Sequence, residues 1–440
     1  MEAILIKALQ FFASLSLLVM IHEFGHYITA RIFKIRVEKF YIFFNPWFSL
    51  YKRKIGETEY GIGWLPLGGY VSLAGMIDES MDLEQMKQEP QPWEFRTKPA
   101  WQRLIVMLAG ITMNVLLAMA IYSGMLYTWG ENYFHNDDMV YGYSFNEAGE
   151  KLGFVDGDKI VSIDGEAIGN VREIDKKLII ADDNRTVVVE RGGENVTLTL
   201  PLEQLVAMRE DQSIIGFYEP IVPFIIESVE SDSSKEAGVM AGDKVIAIDN
   251  NAISDFFAGK ELLAKAQGRN AKIDIVRNAA DTLRLSVPIN AEGKMGVSIK
   301  MITPRTVEYG LFESIPAGIR RTGREIASYW DQLKMIVNPK TKSYKEVGGF
   351  IAIGNIFPSE WNWQSFWTLT ALLSVILAIM NILPIPGLDG GHALVTLWEI
   401  ITRRKPSDKF LEVMQYIGLA LLLLLLVYAN GNDIIKLFIK

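Results

Sequence analysis

Ile21-His22-Glu23-Phe24-Gly25-His26 closes an apolar run that begins near the amino terminus, and the rest of the chain is read outward from it. On a helix, residues four apart share a face, so His22 and His26 bring two imidazoles to one side, where they can grip a zinc ion. Glu23 then lies beside the metal, where a carboxylate can take a proton from water. Only four histidines occur in 440 residues, so two of them at this spacing around a glutamate seldom arise by accident. The bland reading, two helix histidines without a metal, is disfavoured by the membrane setting, where ionisable side chains are costly and usually functional.

Hydrophobic residues make up 50% of the chain and cluster in blocks, the pattern of a membrane protein with sizeable soluble parts. There are no cysteines, which excludes disulfides and thiolate zinc sites, so any metal must use nitrogen and oxygen ligands. The net charge of −8, from 44 basic and 52 acidic residues, argues against nucleic-acid binding.

The first span runs from about Ala3 to Arg31, and no small-residue cleavage site follows it as a signal peptide would require. From Val37 to Met76 the pattern changes. Tyr41, Phe43, Phe44, Trp47, Phe48 and Tyr51 are aromatic, and glycines at 56, 61, 63, 68 and 69 break any helix, which predicts short strands in one or two hairpins. Sheet backbone at membrane depth requires cover from protein or a polar cavity; an ordinary surface hairpin is the alternative. The polar, proline-bearing stretch 77–99 reads as a loop. The second span, about Leu104 to Trp129, contains Asn114, which either bonds a neighbouring helix or faces the site.

Residues 130 to about 305 are soluble in character and contain a repeat. Leu152-Gly153-Phe154-Val155-Asp156-Gly157-Asp158-Lys159-Ile160 returns as Ala237-Gly238-Val239-Met240-Ala241-Gly242-Asp243-Lys244-Val245, a constant offset of 85 residues (153 to 238). Ile163-Asp164 likewise answers Ile248-Asp249. This pattern resembles a PDZ domain in tandem, a fold that binds extended peptide as an added strand.

Leu311 to Val337 has the spacing of an amphipathic helix, interfacial or on an ordinary surface. The third span, about Phe366 to Leu383, runs into Asn381-Ile-Leu-Pro384-Ile-Pro386-Gly-Leu-Asp389-Gly-Gly-His392. Pro384 and Pro386 cannot continue a helical hydrogen-bond ladder, so the backbone unwinds there. Asp389 in that unwound segment supplies a third ligand, because two histidines and a carboxylate leave one zinc position open for water. His392 is a rival ligand or a supporting residue. The last span covers about Val413 to Tyr428.

The expected fold is thus a polytopic α-helical membrane protein with four transmembrane helices, a membrane-associated β-hairpin region and two inserted PDZ-like α+β domains. Its segments are 1–36 (first span with HExxH), 37–100 (cytoplasmic or re-entrant β-region and loop), 101–129 (second span) and 130–220 and 221–306 (the PDZ-like pair). Then follow 307–360 (amphipathic segment), 361–392 (third span with its proline segment) and 393–440 (cytoplasmic loop and fourth span). Basic residues crowd the loops after the first and third spans (Lys52-Arg53-Lys54 and Arg403-Arg404-Lys405), which places those loops in the cytoplasm. The repeat domains and both termini then lie outside, and the HExxH and Asp389 meet at comparable depth towards the cytoplasmic side.

These residues together resemble the site-2 proteases, intramembrane zinc metalloproteases, and most of all the bacterial regulator of sigma-E protease (RseP) group, over essentially the full length. The resemblance implies His22, His26 and Asp389 as zinc ligands, Glu23 as catalytic base, and Asn381 as a substrate-handling residue. It implies a membrane-embedded β-region at Gly68-Gly69-Tyr70 that supports unwound substrate. It also implies a bacterial inner-membrane location within the lipid bilayer. Its substrates would be single-span membrane proteins of the anti-sigma factor type, in the sigma-E stress response by regulated intramembrane proteolysis, or remnant signal peptides. Ala109-Gly110-Ile111 departs from the Gly-Pro pair frequent in relatives. Two other classes compete. A non-catalytic PDZ scaffold would need neither Glu23 nor Asp389, and a transporter would show an inverted repeat among its spans.

Overall fold

The computed structural model describes residues 2–66, 68–76, 88–278 and 280–438, which fall into two units. One comprises the chain up to Glu131 together with 307–339 and 343 onward; the other is 132–306 with 340–342. Of the expected loop 77–99, residues 77–87 lie outside the described residues, and 88–99 contain only a single short helical turn at Phe95–Thr97.

The first unit is built on helices α1 (Glu2–Ile32), α2 (Ala100–Trp129), α3 (Leu311–Val337), α4 (Trp363–Ile382), α5 (Asp389–Thr402) and α6 (Asp408–Phe438). Four of them, α1, α2, α4 and α6, are long and apolar enough to cross a membrane. Side chains such as Ile4 and Leu9 on α1 and Leu424 and Val427 on α6 face outward uncovered, as lipid-facing positions do. With no hydrophobic drive between helices in lipid, close packing rests on small residues and polar contacts. Gly25 of α1 meets the Ala109 carbonyl of α2, and a Cβ there would stand 2.6 Å from that oxygen. Gly318 of α3 packs on Ser123 of α2 in the same way. Ser374 Oγ of α4 donates to the Asn114 carbonyl of α2 at 2.8 Å.

Between α1 and α2 lies a mixed four-stranded sheet of β1 (Val37–Ile42), β2 (Phe44–Ile55), β3 (Thr58–Leu65) and β4 (Tyr70–Leu73), in the order β2-β3-β1-β4. The sequence reading of hairpins holds for β2 and β3, which turn at Gly56 with φ +62°. It misses the parallel pairing of β1 with β3. The chain bends sharply at Phe43 (φ +70°), so β2 leaves the side of β1 and β3 enters between them.

Two further expectations are corrected. Residues from 393 onward do not form a loop directly, because α5 extends to Thr402, and its apolar Leu394, Leu397, Trp398 and Ile401 follow a helical period. At 14 residues it is too short to span. The fourth helix is also longer than Val413–Tyr428. Its carboxy-terminal turns hold the segment before α4. Asn430 Oδ1 accepts from the Phe350 amide, Asp433 Oδ2 from the Ala352 amide, and Asn432 Nδ2 donates to the Lys345 and Val347 carbonyls. These contacts seat a short helix, Phe350–Ile356, where the sequence offered no reading.

In the second unit each copy of the repeat builds a sheet of the same order. Strands Glu194–Leu200, Arg185–Arg191, Lys159–Ile163 and Glu166–Ala167 form the first; Asp281–Pro288, Asn270–Arg277, Lys244–Ile248 and Asn251–Ala252 form the second, both strictly antiparallel among the described residues. Each copy has its own core, around Ile160, Ile163, Val187 and Val189 in one and Val245, Ile248, Ile273 and Ile275 in the other. The repeated Gly-Asp has a structural purpose. Asp158 is buried, accepts from the Val155 amide at 2.9 Å and takes a two-pronged contact at 2.7 Å from Arg191, which also donates to the Gly153 carbonyl. Asp243, Met240, Arg277 and Gly238 repeat this arrangement.

Asp158→Ala leaves the Val155 amide without its partner and is expected to destabilise the first copy by about 1–3 kcal/mol. Hydrogen exchange should quicken in Arg185–Arg191 while Asn270–Arg277 in the second copy stays protected.

Candidate metal centre

The site begins with the helical spacing of α1. His22 and His26 both turn inward and are buried, and their Nε2 atoms stand 3.2 Å apart. Asp389 comes from the far end of the chain. After α4 ends at Ile382 the backbone runs unwound through Leu383 to Leu388, turns at Gly387 with φ +86°, and restarts as α5 with Asp389 in the first turn. A carboxylate at that position is favoured by the helix dipole. The return is tight. A Cβ on Gly390 would lie 2.3 Å from the Leu383 carbonyl oxygen, and one on Gly391 2.4 Å from that of Ile385.

Asp389 Oδ2 lies 3.1 Å from His22 Nε2 and 3.3 Å from His26 Nε2. Although these distances suit ion pairs, that buried oxygen has no hydrogen bond. Two imidazole nitrogens and an unsatisfied carboxylate oxygen therefore face one another at the corners of a triangle with edges of 3.1, 3.2 and 3.3 Å. A tetrahedral zinc site with bonds of about 2.0–2.1 Å has ligand-to-ligand edges of roughly 3.3 Å. The residues thus fit zinc, with one corner left for water or substrate, and they are the group of potential ligands that meets this test among the described residues.

The surroundings support both rings. His26 Nδ1 donates to the Val106 carbonyl at 2.8 Å, which directs its Nε2 to the shared centre. Asn114 of α2 is wholly buried with its amide 3.2 Å from His22 Nδ1, and Asn381 of α4 reaches His22 Nε2 at 3.3 Å. Asn114 therefore faces the site, while its backbone carbonyl also ties α2 to α4. Glu23 is partly buried and lines the cavity beside the two histidines and Asp389. His392 lines the same cavity but lies outside the ligand triangle, with Nε2 3.2 Å from Gln415 Oε1 of α6.

Gly68 and Gly69 precede β4, and Tyr70 opens it. A Cβ on Gly69 would meet the Tyr41 carbonyl at 2.6 Å and Val19 of α1 at 2.9 Å, so the missing side chain lets the strand pass beneath α1. Tyr70 stacks between Tyr41 and Phe44, with ring centroids at 5.3 and 6.3 Å. The cavity around the triangle is lined instead by Val71 and Leu73, further along β4.

The roles of two glycines, Gly110 and Gly418, escaped the sequence reading. A Cβ on Gly110 would stand 2.4 Å from His26 Nε2 and 2.8 Å from His22 Nε2, inside the space a metal needs. One on Gly418 of α6 would lie 1.9 Å from the Pro386 carbonyl, so the last helix is pressed directly against the unwound segment that leads into Asp389. A glycine within an apolar span is the one signal available, because it costs helix stability unless something approaches closely.

The model of peptidase family M50 matches residues 10–425. A "Putative zinc metalloprotease" of Xylella fastidiosa (strain 9a5c) is 31% identical, covering 96% of this chain and 97% of its own. One of the same name from Vibrio cholerae is 29% identical over 99% of this chain and all of its own, and a "Regulator of sigma E protease" from Haemophilus influenzae is 27% identical over 97% and 98%. The chain belongs to peptidase family M50, the site-2 proteases. It is a zinc-dependent metalloprotease with four helices fit to cross a membrane.

Gly110→Ala is expected to put a methyl group against both Nε2 atoms and lower bound zinc to less than about a tenth of wild type. Elemental analysis of the purified protein checks this, with the metal-free melting temperature as the control for folding.

Proposed function

We propose that the chain cuts single-span membrane proteins within the bilayer, using His22, His26 and Asp389 to hold zinc and Glu23 as the catalytic base. The convergence of those three ligand atoms, from helices more than 360 residues apart in sequence (26 to 389), is the observation that carries the proposal. Zinc, when bound, supplies a Lewis acid that polarises a carbonyl and lowers the pKa of water. Glu23 takes the proton of the attacking water and delivers it to the leaving amine. Its place on the cavity wall, one residue from a ligand, supports that role. Asn381, beside His22, donates to a substrate carbonyl or to the oxyanion that forms from it.

A helical substrate hides its carbonyls, so cleavage requires it to be extended. β4 ends the sheet order, and its residues Val71 and Leu73 face the cavity. An unwound segment added along β4 would lie next to the site, positioned through the Gly68-Gly69-Tyr70 approach. The two repeat domains we assign as PDZ-like, over 130–220 and 221–306. In this proposal they lie on the periplasmic side with both termini, and admit only substrates whose outer domain has been removed. Anti-sigma factors already trimmed by another protease fit this requirement, as do remnant signal peptides. The basic loops at Lys52-Arg53-Lys54 and Arg403-Arg404-Lys405 support an inner-membrane orientation with the site towards the cytoplasm.

Glu23→Gln is expected to bind zinc as wild type does and to slow cleavage of a single-span substrate in detergent by at least about 10²-fold. Equal cleavage with zinc bound would refute the base assignment. Asp389→Asn should lower zinc occupancy; unaltered occupancy would transfer the third ligand to another residue. Deleting residues 130–305 should permit cleavage of substrates with intact outer domains, and unchanged selectivity would remove the gating role.

A further inference from the structure

α6 brings one polar side chain to the metal centre. Between Val413 and Val427, Gln415 is the one residue with a side-chain amide or a charge, in a stretch that is otherwise apolar apart from a tyrosine. A polar group in a membrane span is costly and seldom kept without a use. Gln415 does not face outward as Tyr416, Ile417 and Leu419 do; it is 5% exposed and lines the cavity around the triangle. Gly418, one turn further on the same face, lets α6 close on the Pro386 carbonyl and so carries Gln415 inward. One end of the amide is taken. Gln415 Oε1 stands 3.2 Å from Nε2 of His392, which lies on α5 in the turn that follows Asp389. The other end, Nε2, makes no hydrogen bond among the described residues. Turning the amide would exchange the two atoms and leave the count unchanged, one against His392 and one without a partner. A peptide backbone offers a carbonyl and an N–H, so it satisfies the spare end in either orientation. Asn381 stands at the His22 corner of the triangle, and Gln415 is fastened to the helix that carries Asp389.

We infer that Gln415 is a substrate-binding residue, its spare amide end bonding one peptide group of the extended segment while His392 holds the other end. The inference rests on the proposed cleavage of unwound membrane segments. Its test uses the full-length Glu23→Gln protein in detergent, with a fluorescent synthetic peptide of one apolar span and short polar ends as the probe. Binding is read by fluorescence polarisation and zinc by elemental analysis. Adding Gln415→Leu keeps the bulk of the side chain and removes both polar ends, and is expected to raise the peptide Kd about tenfold at unchanged zinc content. In the enzyme that retains Glu23, the same substitution is expected to lower kcat/KM by a similar factor, chiefly through KM. A role in packing α6 on α5 alone predicts a different pattern, in which Asp389 shifts and zinc is lost. An unchanged Kd in Gln415→Leu, or a Kd that rises only together with loss of zinc, overturns the inference. If the Glu23→Gln protein with Gln415 intact holds zinc but does not bind the peptide, the substrate reading itself fails and the inference falls with it.

Discussion

Everything in the membrane unit answers to one constraint, that three side-chain atoms from α1 and α5 must stand within 3.3 Å of each other. Imidazole and carboxylate reach only a few ångströms from their backbones, so the helices must come closer than ordinary side chains permit. The structure meets this with glycines at successive contacts. Gly25 brings α1 to α2, Gly110 clears the space between the rings, Gly390 and Gly391 fold α5 back on the end of α4, and Gly418 lets α6 press on Pro386. Each costs helix propensity of about 1 kcal/mol relative to alanine, which the close approach must offset.

The same closeness has an electrostatic consequence. A carboxylate and two imidazoles gathered away from water are expensive unless a cation joins them. Two features lower that cost. Asp389 sits in the first turn of α5, where the helix dipole favours negative charge, and both ring Nδ1 atoms have polar neighbours on α2. α2 thereby serves as the wall on which the site is built, although it contributes no atom to the triangle.

Much of this was legible in the sequence for definite physical reasons. The spans announce themselves because lipid demands long uninterrupted apolar runs, and the HExxH pair because helical periodicity places residues 22 and 26 on one face. The prolines at 384 and 386 marked the unwound segment since they cannot donate hydrogen bonds. The Gly-Asp repeat was visible because each copy needs a buried aspartate to tie its turn to an arginine strand. What remained hidden depends on tertiary pairing. Nothing local says that β3 inserts between β1 and β2, whereas the helix over 389–402 did leave a helical period at Leu394, Leu397, Trp398 and Ile401, overshadowed by the basic residues that follow. The roles of Gly110 and Gly418 are likewise set by what approaches them, not by their own neighbours in the chain.

The contact between His26 and the Val106 carbonyl carries a last implication, about mutational robustness. A main-chain oxygen is present whatever residue occupies position 106, so no substitution there deletes the acceptor. Only a change in the rotation or height of α2 relative to α1 can. Selection on this half of the centre therefore falls on helix register and on the small residues that maintain it, while the identity of residue 106 is left to packing. Drift in sequence can proceed along that stretch of α2 without the ring ever losing its anchor.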